Sequence, residues 1–234
     1  RILLSSLGAI NAKGRLTETG TALASLPVHP RLGKIALEGQ KLGVGKRATW
    51  VAAFLHEQSL DFSKLDLDEA SRSDLLLMED YFHKACRSSK TNTIFSERGE
   101  TAVLGHRINK TSKQLQRQLK CEKEHITFSE DSDERVLKSI LAGYPDRVAH
   151  GRVGKGHRHA QQELQLATGP RLKKSPTSSV INEPWVVVVA GSRTTSRGRS
   201  GDIALLLSAI EPDWLLDLEN TPVHQNDTLY WNDT

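Results

Sequence analysis

The hydrophobic pattern of this chain changes its period once, near Gly143-Tyr144-Pro145, and this change most constrains the fold. Up to about residue 142, apolar residues recur every three or four positions, which is typical of amphipathic helices. After residue 145, short β-branched or alternating runs are separated by Gly and Pro, which indicates short strands. The sequence therefore predicts a mainly α region followed by a small β barrel or sandwich.

Helices are predicted at several places before this change. Ser73-Asp74 offers a cap for a helix that carries the apolar residues of "LLLMEDYF", and another helix is predicted over 135–142. Two earlier helices are indicated by apolar stripes, namely Leu32, Ile35, Ala36 and Gly39, and then Trp50, Val51, Phe54, Leu55 and Gln58.

The clearest helix, over residues 101–124, has two chemically different faces at about 100° per residue. The apolar face consists of Leu104, Ile108, Thr111, Leu115 and Leu119. The opposite face is basic and consists of Lys110, Lys113, Arg117 and Lys120. Such a face is either a solvated helix surface or a contact surface for phosphates.

Three strands are predicted in the second region, over 163–168, 185–191 and 202–210. The basic stretch "SRTTSRGRSG", residues 192–201, is expected to be a flexible loop between the last two strands. The run "EPDWLLDLE" after them is expected to form a final short helix.

The stretch from Leu7 to Leu32 reads as a turn, a hairpin and a helix. Asn and Gly in Asn11-Ala12-Lys13-Gly14 suit a tight reversal, and Thr17, Thr19 or Thr21 is suited to cap the helix that follows. Pro27 and Pro30 are expected to end that helix, because Pro cannot extend a helix from inside. A hairpin beside helices is found in winged-helix domains, and an ordinary helical hairpin is the alternative.

Composition excludes some classes of protein. The 234 residues include 32 Lys and Arg against 28 Asp and Glu, a net charge of +4 that permits a nucleic-acid partner without requiring one. Cys86 and Cys121 are the only cysteines and form no C-x-x-C pair, so a reducing, cytoplasmic location is expected. No apolar run reaches about 18 residues, so no membrane span is expected. Because the chain opens with Arg1 in mid-pattern, we expect it to be part of a longer protein.

Motifs for catalysis or for metal binding are not found. A phosphate-binding loop needs G-x-x-x-x-G-K-[ST], and both near matches fail. Before Gly45-Lys46 the first Gly is replaced by Gln40, and after it the hydroxyl residue is replaced by Arg47. Around Gly154-Lys155 the same two positions hold Ala149 and Gly156. His157 and His159 have no carboxylate or Cys at ligand spacing, so no metal is expected. "GRVG" at 151–154 matches the loop of a KH module, but strands rather than helices follow it. The chain alone is expected to lack catalytic residues.

Four stretches resemble a known family. "LLSSLGAINAKGRLTETGTALASLPVHPRLGKIAL", residues 3–37, resembles the segment of DEAH-box helicases where the winged-helix domain ends and the helical ratchet domain begins. "ILAGYPDRVAHGR", residues 140–152, is similar to an element of the bacterial HrpB-type branch. "EPWVVVVAG" and "IALLLSAIEPDWL" are similar to later elements of the same branch.

This resemblance implies a domain organisation and a function. Residues 1–30 would end a winged-helix domain, 31–142 would form a ratchet-like helical domain, and 143–234 would form an OB-like β domain cut at its end. RecA-like motor domains elsewhere in the parent protein would bind ATP and Mg²⁺, and the fragment itself would have no cofactor. Its partners would be those motor domains and single-stranded RNA or DNA, which it would grip while they hydrolyse ATP.

Eleven basic residues are the candidates for contacting the strand. They lie on the 101–124 helix and on two segments beside the predicted strands: Lys110, Lys113, Arg117, Lys120, Arg147, Arg152, Lys155, Arg158, Arg193, Arg197 and Arg199. With aromatic residues at 5%, contacts to phosphates are expected to dominate over base stacking. The alternatives are a free-standing nucleic-acid-binding adaptor of the winged-helix plus β-barrel type and a scaffold whose basic surface only keeps it soluble.

Overall fold

Helices come first and strands second, as the change of period predicts. The computed structural model describes residues 1–57, 69–87, 100–151, 163–196 and 199–218. The helices of these residues are α1 (Ile2–Ser6), α2 (Glu18–Ser25), α3 (Pro30–Lys41), α4 (Gly45–His56), α5 (Asp74–Arg87), α6 (Glu100–Leu119) and α7 (Glu130–Gly143). The strands are β1 (Val148–Gly151), β2 (Glu163–Leu166), β3 (Arg171–Lys174), β4 (Trp185–Ser196) and β5 (Arg199–Ala209).

The turn and the hairpin predicted near the N-terminus are present. Asn11 Oδ1 accepts hydrogen bonds from the backbone N–H groups of Lys13 and Arg15, both at 3.0 Å, and an isolated antiparallel bridge pairs Ile10 with Leu16. Of the three possible caps, Thr17 is the one used, since its hydroxyl accepts from Gly20 N at 3.0 Å. The hairpin therefore leads directly into α2.

Three helix boundaries differ from the sequence expectations. Pro30 opens α3 instead of ending α2, because the first turn of a helix needs no N–H from Pro. The helix expected to reach residue 124 ends at Leu119, where Lys120 has a φ of 56° and Cys121 N donates to Gln116 O at 3.0 Å. α7 begins at Glu130 rather than Arg135, because Ser129 caps a first turn that is acidic and lacks apolar periodicity.

The two apolar stripes predicted on α3 and α4 form the centre of the helical core. Ile35 and Phe54 are fully buried, and the Trp50 and Phe54 rings stack with their centroids 5.2 Å apart. A Cβ atom on Gly39 would lie 2.1 Å from Ala48 Cβ. Glycine at this position is what allows the α3 and α4 backbones to pack so closely; Gln58, the last member of the second stripe, lies outside the described residues.

The strands of the described residues form a closed barrel in the order β1-β2-β3-β5-β4. Neighbours are antiparallel except β3 and β5, which are parallel. The three predicted strands are found with shifted ends, and a short 3-10 helix, Pro212–Leu215, follows them. The two additional strands, β1 and β3, have no alternating pattern that would reveal them, since "VAHG" begins with two adjacent apolar residues and "RLKK" contains only one.

The expectation of a flexible loop over 192–201 is wrong. β4 and β5 continue through this stretch as a paired arm, with register running from Arg193↔Asp202 to Ser196↔Arg199. Two β-branched threonines, Thr194 and Thr195, favour extended backbone there, and cross-strand hydrogen bonds replace those that a loop would make to water. Arg193 and Arg199 therefore lie in strands, not in a loop.

The barrel and the helices share one core. Val186 and Val188 point into the barrel with Leu164 and Leu207, whereas Val187 and Val189 pack with the helical core. The run "WVVVV" is apolar on both faces because both faces of β4 are covered.

Asp74 ties α5 to the barrel. Its carboxylate is fully buried and accepts hydrogen bonds from Ser179 N at 2.7 Å and Leu207 N at 2.8 Å, and from the hydroxyls of Ser178 and Ser179. Burial raises the pKa of Asp74, and these hydrogen bonds oppose that shift. The cap predicted at Ser73-Asp74 is supplied by Ser73, whose hydroxyl accepts from Leu75 N at 3.2 Å.

Candidate nucleic-acid interface

The outer face of α6 carries the predicted basic residues. Lys110, Lys113, Arg117 and Lys120 are all exposed, although Lys120 lies just beyond the helix end. Arg117 lies 3.7 Å from Glu122; within the described residues, the three lysines have no carboxylate at ion-pair distance. The inner face buries Ile108, Leu115 and Leu119. α6 therefore presents free positive charge to solvent and apolar side chains to the core.

The inner face of α6 also contains a polar contact that periodicity does not reveal. Ser112 is 3% exposed and lies 3.4 Å from the hydroxyl of Thr49 on α4. Gln116 Nε2 donates to Ser112 Oγ at 3.0 Å and to Thr49 Oγ1 at 3.3 Å. These hydrogen bonds lie between Ile108 and Leu115 on the buried face of α6. Leu104 and Thr111, which were predicted for the same face, are only half-buried.

A second basic feature is a cleft where the N-terminal segment, the bundle and the barrel meet. This junction cleft has a volume of about 420 Å³ and is lined by Leu3, His29, Arg31, Leu32, Leu55, Tyr144 and Arg147. Its polar residues come from the start of α3 and from the 3-10 turn Pro145–Arg147 that joins α7 to β1.

Arg31 holds the two sides of the junction cleft together. Its guanidinium donates to both carboxylate oxygens of Asp146, at 2.6 and 2.7 Å, and to Gly143 O at 3.2 Å. Hydrogen bonding to Arg31 and its charge hold the pKa of Asp146 below its usual value. The charge of Arg31 is therefore largely compensated.

Arg147 is held in place but not neutralised. Its guanidinium lies 5.5 Å from the centre of the Tyr144 ring and donates to Val189 O at 3.3 Å. In the ranges that the structure describes, no carboxylate lies within ion-pair distance of it. Since both of its described partners are uncharged, Arg147 brings a net positive charge into the cleft.

His29 caps α3 and faces the same cleft. Its Nδ1 accepts a hydrogen bond from Arg31 N at 3.3 Å, so the proton of the neutral ring lies on Nε2. Burial and the charges of Arg31 and Arg147 lower the pKa of His29. The imidazole is therefore neutral at pH 7, with Nε2–H as its donor.

Arg147 also lines a second cleft on the barrel. This barrel-mouth cleft, of about 520 Å³, is lined by Asp146, Arg147, Leu166, Thr168, Leu172, Val188, Gly191, Ser192 and Asp202. β1 pairs Val148 with Val187, and β4 then continues past the start of β1 to Ser196. The β4–β5 arm therefore leaves the barrel on the same side as Arg147.

The other predicted barrel residues are not assembled with Arg147 by the described structure. Arg152, Lys155, Arg158 and Arg197 lie outside the described residues, as do His157 and His159. Gly151, which precedes the first three, lies at the opposite end of β1, where its N–H donates to Pro184 O at 2.8 Å. Arg193 and Arg199 have described backbones in the β4–β5 arm.

Sequence reasoning selected Arg147 but missed His29, Arg31 and Tyr144. The segments "HPRL" and "GYPDR" are far apart in the chain, and no local pattern pairs an arginine with an aspartate across that separation. The Arg31–Asp146 ion pair, which brings the segments together, is a tertiary contact.

Residues 2–28 match the family model of the winged-helix part of the helicase-associated domain, HA2. The fold of the whole chain matches the crystal structure of the E. coli DExH-box NTPase HrpB, with a TM-score of 0.58 and 20% sequence identity. The resemblance to HrpB-type helicases is confirmed at the level of the fold. The match covers 99% of this chain and 23% of the HrpB chain, so the chain spans about a quarter of that protein.

Two further observations concern membranes and metals. None of the helices described here has the length and apolar character to span a membrane. Among the same residues, no three His, Cys, Asp or Glu side chains are grouped so as to hold a metal ion.

Proposed function

We propose that this chain is the nucleic-acid-binding accessory region of an ATP-dependent helicase of the HrpB type. In this proposal it grips a single strand of RNA or DNA in the cytoplasm, while RecA-like motor domains bind and hydrolyse ATP with Mg²⁺. The observation that carries the proposal is the match of almost the whole chain to one continuous HrpB fold, together with the HA2 match at its start.

The barrel is proposed to be OB-like. Five described strands close in the order β1-β2-β3-β5-β4, and small five-stranded Greek-key barrels of this kind bind oligonucleotides. The helical bundle is proposed to act as the ratchet-like element. Both assignments agree with the basic surfaces of α6 and of the junction cleft.

The proposed mode of binding is through phosphates rather than bases. Tyr144 is 7% exposed and packs against two guanidinium groups, at 5.1 and 5.5 Å, so its ring has little surface for a base. Lys110 and Lys113 on α6 and Arg147 in the cleft instead offer charge without carboxylate partners among the described residues. Such contacts give affinity that depends strongly on salt and weakly on sequence.

Fluorescence anisotropy with labelled single-stranded RNA and DNA 12-mers tests this proposal. We expect binding at low salt that weakens as salt rises, with little dependence on base sequence. Replacing Lys110, Lys113, Arg117 and Lys120 by Gln should weaken it, since each lost phosphate contact flattens the slope of log affinity against log salt by about 0.7 for single strands.

A control set of three substitutions changes exposed charge elsewhere. The set consists of Lys13→Gln and Arg15→Gln on the hairpin and Lys41→Gln at the end of α3. These substitutions should change affinity much less than those on α6. No binding by the parent chain, or equal loss in both sets of variants, would contradict the proposal.

A further inference from the structure

We propose that the junction cleft binds one backbone phosphate of a single strand, held by the Arg147 guanidinium and the Nε2–H of His29. This inference rests on the proposed function and assigns a phosphate site within it. Nothing in α6 is required for it, so the two surfaces are testable separately.

The charge balance of the cleft singles out Arg147. Asp146, the nearest acidic neighbour in sequence, already receives a bidentate ion pair from Arg31. Arg147 is fixed by Tyr144 and by Val189 O, which orient the guanidinium without cancelling its charge. A fixed cation with donors remaining is suited to a phosphate, because guanidinium geometry matches phosphate oxygens.

His29 supplies a donor of a different kind. Its Nδ1 is occupied by Arg31 N, which leaves Nε2–H as the hydrogen-bond donor of a neutral ring. The charged groups that act on it are Arg31 on α3 and Arg147 after α7. Asp146 pairs with Arg31, and Tyr144 also lines the cleft. A phosphate placed between His29 and Arg147 would offset the cationic surroundings, so binding should raise the pKa of His29.

The walls of the cleft suit a strand better than a free ion. Leu3, Leu32 and Leu55 line it beside the polar groups, so an apolar surface is available to the sugar next to the bound phosphate. Another groove, lined by Lys34, Lys41 and Lys138, offers no uncompensated positive charge. There Glu38 pairs with Lys34 and Lys41, Glu134 pairs with Lys138, and Asp217 also lines the groove, so three carboxylates offset the three lysines.

The first experiment uses variants that keep the α3 cap. Asn and Asp are both good N-cap residues, so His29→Asn and His29→Asp should leave the melting temperature near that of the parent 234-residue chain. In anisotropy with an oligouridine 12-mer at pH 7, His29→Asp should lower affinity at least about tenfold by repelling the phosphate, and His29→Asn only about threefold. Gln40→Glu makes the same charge change on the exposed far end of α3 and should have little effect.

The second experiment reads the site directly. NMR titration of the His29 ring should show its pKa rising by about one unit when the 12-mer is added. Without any strand, the pKa of His29 should also be higher in Arg147→Ala than in the parent chain, because this variant removes a nearby positive charge. Inorganic phosphate at the same concentration should shift it far less. Arg147→Ala should also flatten the salt slope by about 0.7, a change that a purely structural role would not produce.

The outcomes separate this inference from the proposed function. If the parent chain binds the 12-mer but His29→Asp binds equally well, or the His29 pKa does not respond to the strand, the phosphate site is wrong while the function stands. An equal response to inorganic phosphate would replace a strand site by a general anion site and overturn the assignment. If no strand binds at all, both are wrong.

Discussion

At the scale of single residues, a buried ionic network holds three helices together. Arg47 on α4 is 3% exposed and pairs with the fully buried Glu79 on α5, with nitrogen–oxygen distances of 2.7 and 3.0 Å. The same guanidinium reaches Asp133 on α7 at 2.6 Å and Ser132 at 2.9 Å. Because burial disfavours each charge alone, the partners depend on one another.

This dependence gives a prediction for the Arg47–Glu79 pair. Glu79→Ala leaves a buried guanidinium without its main partner and should lower the free energy of unfolding by about 3–5 kcal/mol. The double variant Arg47→Met, Glu79→Leu removes both charges and should recover most of that loss. Urea denaturation measures both, and a Glu79→Ala chain as stable as the parent would show that the pair contributes little.

Asp146 gives a prediction about pH. Its pKa in the folded chain is lowered by Arg31, below the value of about 3.9 expected for the unfolded chain. A lowered carboxyl pKa stabilises the fold above the unfolded value, and this contribution is lost as pH falls through the folded value. The difference in melting temperature between the parent and Asp146→Asn should therefore be largest near pH 7 and shrink towards pH 3. A difference that is constant with pH would contradict the ion pair.

Sequence reasoning at this scale succeeds where a residue acts on its neighbours. Thr17 and Ser73 were predictable as caps because a cap bonds to a backbone N–H two or three residues away. Sequence patterns could not predict that Asp74 accepts hydrogen bonds from the barrel or that Arg31 pairs with Asp146. Their partners lie on other elements, and only the folded chain decides which polar groups meet.

At the scale of elements, α6 separates structure from binding on one helix. Leu115 is fully buried, and Leu115→Ala should lower the free energy of unfolding by about 2–5 kcal/mol. Lys113 is exposed, so Lys113→Ala should leave stability nearly unchanged. Thermal denaturation compares the two, and a Leu115→Ala chain that melts like the parent would show that the faces of α6 have been assigned wrongly.

The orientation of α6 was predictable because its apolar residues recur along one face of a long helix. The residues at which elements begin and end were not predictable. Lys120 ends α6 in a left-handed conformation that Gly or Asn usually adopts. The β4–β5 arm was mistaken for a loop because residues 192–201 are all polar or Gly. Its strands are stabilised by pairing with each other, and the hydrophobic pattern does not record that pairing.

At the scale of the whole molecule, the barrel and the bundle should unfold together. They share an apolar core through Val187 and Val189, and Asp74 on α5 accepts hydrogen bonds from the barrel. Calorimetry should show one transition for the parent chain. Asp74→Ala should lower the melting temperature and broaden or split the transition, because buried donors at Ser179 and Leu207 lose their acceptor. Two separate transitions in the parent would contradict the shared core.

The proposed function requires that this chain hold a single strand against α6 and the junction cleft. Photocrosslinking of a 4-thiouridine-substituted RNA strand, followed by mass spectrometry of the attached peptides, tests it most directly because no variant is needed. We expect crosslinks in peptides from the outer face of α6 and in those containing His29 or Arg147. High salt and unlabelled competitor strand should suppress these crosslinks. Crosslinks confined to other surfaces, such as the acidic first turn of α7, or none above those of an unrelated protein, would contradict it.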